Sequence, residues 1–302
     1  MTAPKPPAEV AINVDLIEMM ISDFAPELVG EPVQFHASGW DNEIYRIGDS
    51  HAIRLPRREV AAPLITNEQT WLPELAELLP VPVPAPTFDG KPAFGYPFPW
   101  SIVPWMPGVT LLHAPPLPTG KLMHELADVM NPLHVAAPKN APKNPYRGVP
   151  LTARAEGVVE RIETCAPVFA SLDIDPAAVR DTWDSLVDAP DFGGEPIWVH
   201  GDLHLANILV RAGRISALID FGDLCAGDPA VDLSIAWMLF DQETDRLAFR
   251  KLLTIEGRSI DVHTWKRARG NALAHALAVL DRSNDDPSMR RMAATTLRNT
   301  LL

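Results

Sequence analysis

Two proline clusters limit what this chain can form. Leu79–Pro86 reads LPVPVPAP and Tyr96–Trp100 reads YPFPW. Proline has no amide proton to donate, and its ring clashes with the preceding turn, so neither stretch can be helix interior. They separate a strand-rich first third from a remainder with mostly helical spacing. Ahead of them, Val14–Leu28 predicts an amphipathic helix. EIYRIG (Glu43–Gly48) and HAIRLP (His51–Pro56) are short alternating runs parted by Asp49-Ser50, which predicts a β-hairpin. Pro63–Leu79, carrying Glu68, predicts a helix. Ser101–Trp105 predicts a strand, and Met106-Pro107-Gly108 a turn.

Beyond Leu111, helices are expected at Lys121–His134, Leu151–Phe169, Pro176–Leu186 and in several segments after Leu233. The tandem PKN–APKN around Pro138–Asn144 reads as a loop. One β-rich island interrupts the helical part, Pro196–Asp223. In it, NILV and SALID flank Arg211-Ala212-Gly213-Arg214, a second hairpin signal. No βαβ series alternates along the chain, so the expected class is α+β. The expected division is a smaller β-rich lobe over residues 1–105 and a larger, mainly helical lobe over 106–302, with a linker reaching about 108.

Composition narrows the classes. With 302 residues, 47% of them hydrophobic, the chain can bury a sizeable core. No stretch reaches the roughly 18 uninterrupted apolar residues of a membrane span. The N-terminus lacks a long apolar run behind a basic patch, so no signal peptide is expected. Cys165 and Cys225 stand far apart, without paired ligand spacing. The expectation is a reducing cytoplasm, with no disulfide framework and no structural zinc. A net charge of −13 argues against a nucleic-acid partner and suits a cationic substrate, although acidity also serves solubility.

The chemistry concentrates in His200-Gly201-Asp202-Leu203-His204-Leu205-Ala206-Asn207, followed thirteen residues later by Asp220-Phe221-Gly222-Asp223. Phosphoryl transfer needs a hydroxyl in line with a γ-phosphate, a divalent ion on the phosphate oxygens and an offset for developing charge. Magnesium takes hard oxygen ligands and keeps several waters, so one carboxylate and one amide suffice. A second carboxylate can accept the hydroxyl proton. Asn207 enters one strand of the expected hairpin and Asp220 closes the other, so both can face one metal ion, with Asp202 aimed at the acceptor. Gly222 gives the backbone freedom beyond the metal ligand.

The pattern H-G-D-L-H-x-x-N followed by I-D-F-G-D resembles the aminoglycoside phosphotransferase family, a branch of the protein-kinase-like fold. GDPAVDLSIAW (Gly227–Trp237), GWDNEIYRIGDSHAIRLPRR (Gly39–Arg58), WLPELA, YPFPWSIVPWMPG and NPYRGVPL extend the resemblance over roughly residues 35–240. It implies a two-lobed fold with the site between the lobes. It implies Asp202 as catalytic base, Asn207 and Asp220 as Mg2+ ligands, and Asp232 as a structural residue. Arg54 stands where the family places a basic residue on the nucleotide phosphates, and Glu68 where a helix glutamate orients it. Arginine replaces the lysine of protein kinases there, keeping the charge with a different geometry. Gly39 stands for a reduced Gly-rich loop. The Val103–Trp105 segment would present backbone groups to the purine of ATP or GTP.

The implied function is a kinase of a small-molecule hydroxyl, first of all an aminoglycoside. Other small alcohols (macrolide, choline, homoserine, sugar) remain open, as does a nucleotide-binding pseudokinase. A third reading is a metallohydrolase using His200, Asp202 and His204, which a strand would place on one face. Asp and Asn also favour turns, and each site residue alone can be read that way. Asp223 can orient the site or cap the next turn. Lys139, Lys143 and Arg147 can cover the substrate or only solvate a loop. Asp241, Glu243 and Asp245 can receive a cationic substrate or only begin a solvated helix.

Overall fold

Asn13 accepts a hydrogen bond from Leu16 N (2.9 Å), starting helix α1 (Val14–Phe24). Its apolar face buries Leu16, Ile17, Met20 and Ile21. In this computed structural model, which describes residues 6–282 and 286–302, that face joins the core of a five-stranded antiparallel sheet. The strands are β1 (Val33–Ser38), β2 (Asn42–Ile47), β3 (His51–Pro56), β4 (Phe88–Gly90) and β5 (Trp100–Pro104), in the order β1-β2-β3-β5-β4. Helix α2 (Ala62–Ala76) donates from Gln69 Nε2 to the carbonyl of Trp100 at 2.8 Å. Ile17, Met20, Ile47, Ile53, Leu55, Trp100 and Ile102 form the core of this unit. Ala217–Gly222 belongs to it as well.

The other unit comprises Gly108–Ser216 and Asp223–Leu302. It begins with β6 (Val109–Thr110) and α3 (Thr119–Leu133), then α4 (Ala155–Thr164), α5 (Ala166–Leu172), α6 (Pro176–Val187) and β7 (Ile197–Val199). Next come the hairpin strands β8 (Ile208–Arg211) and β9 (Arg214–Leu218), then β10 (Cys225–Gly227), α7 (Ala230–Leu233), α8 (Ile235–Leu239) and α9 (Glu243–Arg250). A small hairpin, β11 (Thr254–Ile255) and β12 (Arg258–Ser259), precedes α10 (Val262–Arg282) and α11 (Pro287–Leu301). Val158, Ile162, Phe169, Trp183, Leu273, Leu277 and Leu297 anchor its core.

The class is mixed α+β, with an antiparallel sheet in the N-terminal part and helices in the rest. Several expected elements end earlier than their sequence pattern. The first helix stops at Phe24 and resumes as a 3-10 turn at Pro26–Leu28, because the residue before a proline is pushed out of helical backbone. Helix α2 ends at Ala76 rather than Leu79. Leu151–Phe169 is not one helix. It is a 3-10 turn at Leu151–Arg154, then α4, then α5, with Pro167 in the first turn of α5. Cys165 and Cys225 are both buried free thiols. Among the described residues no helix is long and apolar enough to cross a membrane.

One buried carboxylate anchors the segment that follows β7. Asp232, on α7, accepts from His200 N (2.8 Å) and His134 Nε2 (3.1 Å) on one oxygen and from Gly201 N (2.9 Å) on the other. Asp232, His134 and His200 are all fully buried. Asp232→Ala would leave three donors without an acceptor, each costing about 1–3 kcal/mol. Urea unfolding should show a loss of about 3 kcal/mol or more. A variant as stable as the parent would show that this brace is dispensable.

Candidate functional site

The structure gathers the residues singled out above into two groups, each within one unit. In the helical unit, β7 delivers the chain to Gly201, whose φ of +83° suits glycine. A Cβ there would run into the Asp223 carbonyl, so the site is closed to other residues on two counts. Asp202 follows, its side chain 22% exposed. His204 begins a 3-10 turn, Leu205–Asn207, its Nδ1 accepting from Ala206 N at 3.2 Å. That leaves Nε2 to face Asp202 Oδ2 at 3.4 Å. Asn207 Nδ2 donates to the carbonyl of Asp202 at 2.9 Å, which leaves its amide oxygen as the group it can offer a cation.

Arg147 joins this group from the loop before α4. Its terminal nitrogen donates to Asp202 Oδ1 at 2.7 Å and its Nε to Asp223 Oδ2 at 2.9 Å. Asn144 Nδ2 holds the other Asp223 oxygen at 2.7 Å. The loop therefore does more than solvate itself, and Asp223 anchors Arg147. Arg154 and His275 complete the surroundings. Arg154 donates to Asn271 Oδ1 at 2.9 Å, and the His275 ring lies 5.4 Å from that of His204.

Electrostatics follow from this crowding. Burial alone would push the Asp202 carboxyl up. Arg147, then His204, overcome burial and hold it well below the usual carboxylate range. Arg147 is held protonated against burial by Asp202 and Asp223. Burial, with the neighbouring charge of His204, draws His275 down to about 3, so it is neutral.

The second group lies in the sheet-bearing unit. Arg54 on β3 is buried, with one terminal nitrogen 2.5 Å from Glu68 Oε2 and the other 3.3 Å from Asp220 Oδ1. Glu68 is fully buried on α2, and its other oxygen has no hydrogen-bond partner among the described residues. Burial pushes its carboxyl up, with Arg54 opposing. Burial would weaken the Arg54 charge, but Glu68 and Asp220 more than restore it. Asp220 has a left-handed φ of +64° and an exposed side chain. Aspartate tolerates that conformation better than most residues, and such strained positions cluster at functional sites.

Gly39 lies between β1 and β2, its N–H donating to Asn42 O at 2.8 Å. Val103 is buried on β5, opposite Ala52. Trp105 gives its backbone N–H to Ser50 O at 2.8 Å. Its ring meets the Arg46 guanidinium at 5.1 Å and the His36 ring edge-on at 4.7 Å. Glu243 and Asp245 sit in the first turn of α9, and Asp241 Oδ1 accepts from Asn299 Nδ2 at 3.0 Å. Among the described residues no group of three or more His, Cys, Asp or Glu could hold a metal ion. A metallohydrolase ligand set is therefore not assembled among them.

Sequence reading passed over Arg154, Asn271 and His275. Arg154 closely follows the NPYRGVPL stretch, and the other two lie on α10, where the pattern indicates only a helix.

Because its pKa is depressed, ionised Asp202 adds stability above the unfolded value of about 3.9 and loses it as pH falls through the folded value. Arg147→Met removes the main opposing charge and leaves burial, so the Asp202 carboxyl should titrate at higher pH. Carbon-13 NMR titration of labelled aspartates, with the Asp202 signal assigned through Asp202→Asn, reads this directly. An unchanged titration would deny Arg147 that role.

Comparison with known proteins places this geometry. The phosphotransferase enzyme family model matches residues 32–292. Comparison with curated protein sequences gave no match. Among solved structures, the GDP and kanamycin complex of APH(2")-IIia is 18% identical, with a TM-score of 0.64 over 94% of this chain and 98% of that one. The macrolide 2'-phosphotransferase MphH of Brachybacterium faecium, an apoenzyme, is 20% identical, with a TM-score of 0.58 over 94% and 97%. The ADP-bound aminoglycoside phosphotransferase APH(2'')-Ib is 16% identical, with a TM-score of 0.57 over 96% and 97%. These likenesses show a shared kinase-like fold. With the family model spanning most of its length, the chain belongs to the phosphotransferase enzyme family.

Proposed function

We propose that the protein transfers the γ-phosphoryl group of a nucleoside triphosphate to a hydroxyl of a small molecule, with Asp202 as the catalytic base. The observation that carries this reading is the Asp202–Asn207 turn ahead of β8, in which the Asn207 amide nitrogen is tied to the Asp202 backbone carbonyl and the Asp202 carboxylate stays ionised. A hydroxyl beside Asp202 would be oriented by the carboxylate and lose its proton to it as the bond to phosphorus forms. The depressed pKa keeps Asp202 ionised and makes it a weak base. That suits a loose phosphoryl-transfer transition state, in which positioning matters more than early proton removal.

Asn207 and Asp220 are the proposed Mg2+ ligands. Hard oxygen donors fit that ion: the Asn207 amide oxygen is left over from its hydrogen bond, and the Asp220 carboxylate is largely exposed. When bound, the ion would offset charge on the phosphate oxygens. Arg54, held by Glu68, keeps Asp220 oriented and offers a fixed positive charge to the nucleotide. Gly39, Val103 and Trp105 are assigned to nucleotide binding. In this reading residues 1–105, with a linker to about 108, serve nucleotide binding, and 106–302 serve catalysis and the acceptor. ATP and GTP both remain candidate donors, since similar proteins were solved with ADP and with GDP.

Aminoglycosides and macrolides, for which those proteins are named, are the first acceptors to test. The net charge of −13 favours a cationic one, whereas two arginines, Arg147 and Arg154, line the recess beside Asp202.

Asp202→Asn should lower turnover on the order of 10²-fold or more while nucleotide affinity stays intact. Turnover near the parent value would refute the assignment of the base. Asp220→Ala should abolish Mg2+-dependent nucleotide binding in calorimetry, and retained binding would remove Asp220 from the metal site. Nucleotide binding without transfer to any of a broad set of acceptors would mark a binding module instead.

A further inference from the structure

We propose that the recess beside Asp202 binds a carboxylate of the acceptor through Arg154, so that the molecule phosphorylated is a small hydroxy acid and not a polycation. This deepens the kinase reading and rests on it. The recess is lined by Arg147, Arg154, Gly201, Asp202, Asn271 and His275, among others. Its two positive groups, Arg147 and Arg154, come from the loop and 3-10 turn ahead of α4, and α10 adds Asn271 and the neutral His275.

Arg154 is the anomaly. Arg54, Arg147 and Arg267 each hold at least one carboxylate. Arg246 directs its guanidinium at the carbonyls of Phe240 and Asp241. Arg154 makes one hydrogen bond, to Asn271 Oδ1, and among the described residues no carboxylate lies within ion-pair distance of it. Asp202, which shares the recess, is committed to Arg147 and His204. A half-buried guanidinium without a carboxylate in contact is costly. Burial, followed by the charges of Arg147 and Arg161 and opposed by Asp202, draws Arg154 down to about 10, so it stays cationic at neutral pH. The one carboxylate that lines the recess, Asp202, is in contact with Arg147 and His204, which leaves Arg154 open to an anion arriving with the ligand.

A second open group points the same way. His275 Nε2 is buried and has no hydrogen-bond partner among the described residues. The recess has a volume of about 10 Å³, room for about one water-sized group. That admits one small polar group, such as a single carboxylate oxygen. The forked guanidinium matches a carboxylate edge. Asp202 borders the recess and is partly exposed, so a hydroxyl beside it and a carboxylate oxygen in the recess would belong to one short molecule. An ammonium group placed there would meet two arginines and a single carboxylate, Asp202, already in contact with Arg147 and His204.

The experiment measures kcat/KM with ATP and Mg2+ for glycerate, 4-hydroxybutyrate and gluconate, each beside its neutral counterpart glycerol, 1,4-butanediol or glucose, and beside kanamycin. The parent protein should prefer at least one acid over its neutral counterpart by tenfold or more. Arg154→Gln, which can still donate to Asn271, should bring that ratio to about one, mainly through KM. Arg154→Lys should restore part of it. Nucleotide affinity, measured on each variant, should stay at the parent value and so verify folding. Phosphorylation of kanamycin or of the neutral alcohols with no preference for acids would overturn the inference and leave the kinase reading standing. A preference that survives Arg154→Gln would overturn it as well. Transfer to none of these acceptors, with nucleotide bound, would count against the kinase reading and take the inference with it.

Discussion

The buried carboxylate of Asp232 is the point on which the helical unit's chemistry turns. Two consecutive backbone amides, His200 N and Gly201 N, aim at its two oxygens, and His134 fixes one of them from α3. Amides pointing inward at successive residues force the chain to reverse abruptly, and the left-handed Gly201 is how it does so. The reversal turns Asp202 away from the core. The residue that appears chemically inert, with no access to solvent, thus sets the direction of the residue proposed to act on substrate.

Much of this was legible in the sequence where local rules apply. The β2–β3 and β8–β9 hairpins could be read because short runs, alternating in the first and apolar in the second, meet at residues suited to tight turns. Ala212 and Gly213 do take positive φ. The pairing of Arg54 with Glu68 followed from resemblance, and the geometry adds that both are buried and that Asp220 shares the arginine. β1 escaped because VQFHAS is largely exposed or half-buried and its register with β2 slips between Phe35 and Ala37, which breaks the alternation. β11 and β12 escaped because two residues per strand carry no period at all.

Contacts distant in sequence were illegible for a different reason. Nothing in NPYRGVPL says that its arginine reaches a carboxylate 55 residues away. Asn144 makes the contact intelligible: its side-chain oxygen accepts from Tyr146 N and Arg147 N, folding the loop on itself, while its nitrogen holds Asp223. Asp223 in turn takes Arg147 Nε. The loop is shaped by its own asparagine before it meets the base, so Arg147 arrives already oriented. Periodicity places Asn271 and His275 on a helix, but not the side of the helix that meets the site.

Net charge proves a poor guide to local charge. A chain at −13 surrounds its proposed base with Arg147, Arg154 and the neutral His275. The long-range field of the acidic surface is screened within about 10 Å at ordinary ionic strength, whereas groups in contact with the acceptor act at unscreened distance. What the surface attracts and what the recess accepts are therefore separate questions, and specificity is decided at the second. One arginine is already neutralised by the base it steers. The other is held by an asparagine that orients it without cancelling its charge. An amide partner fixes the guanidinium but leaves its charge uncompensated, which is what binding an anion at Arg154 requires.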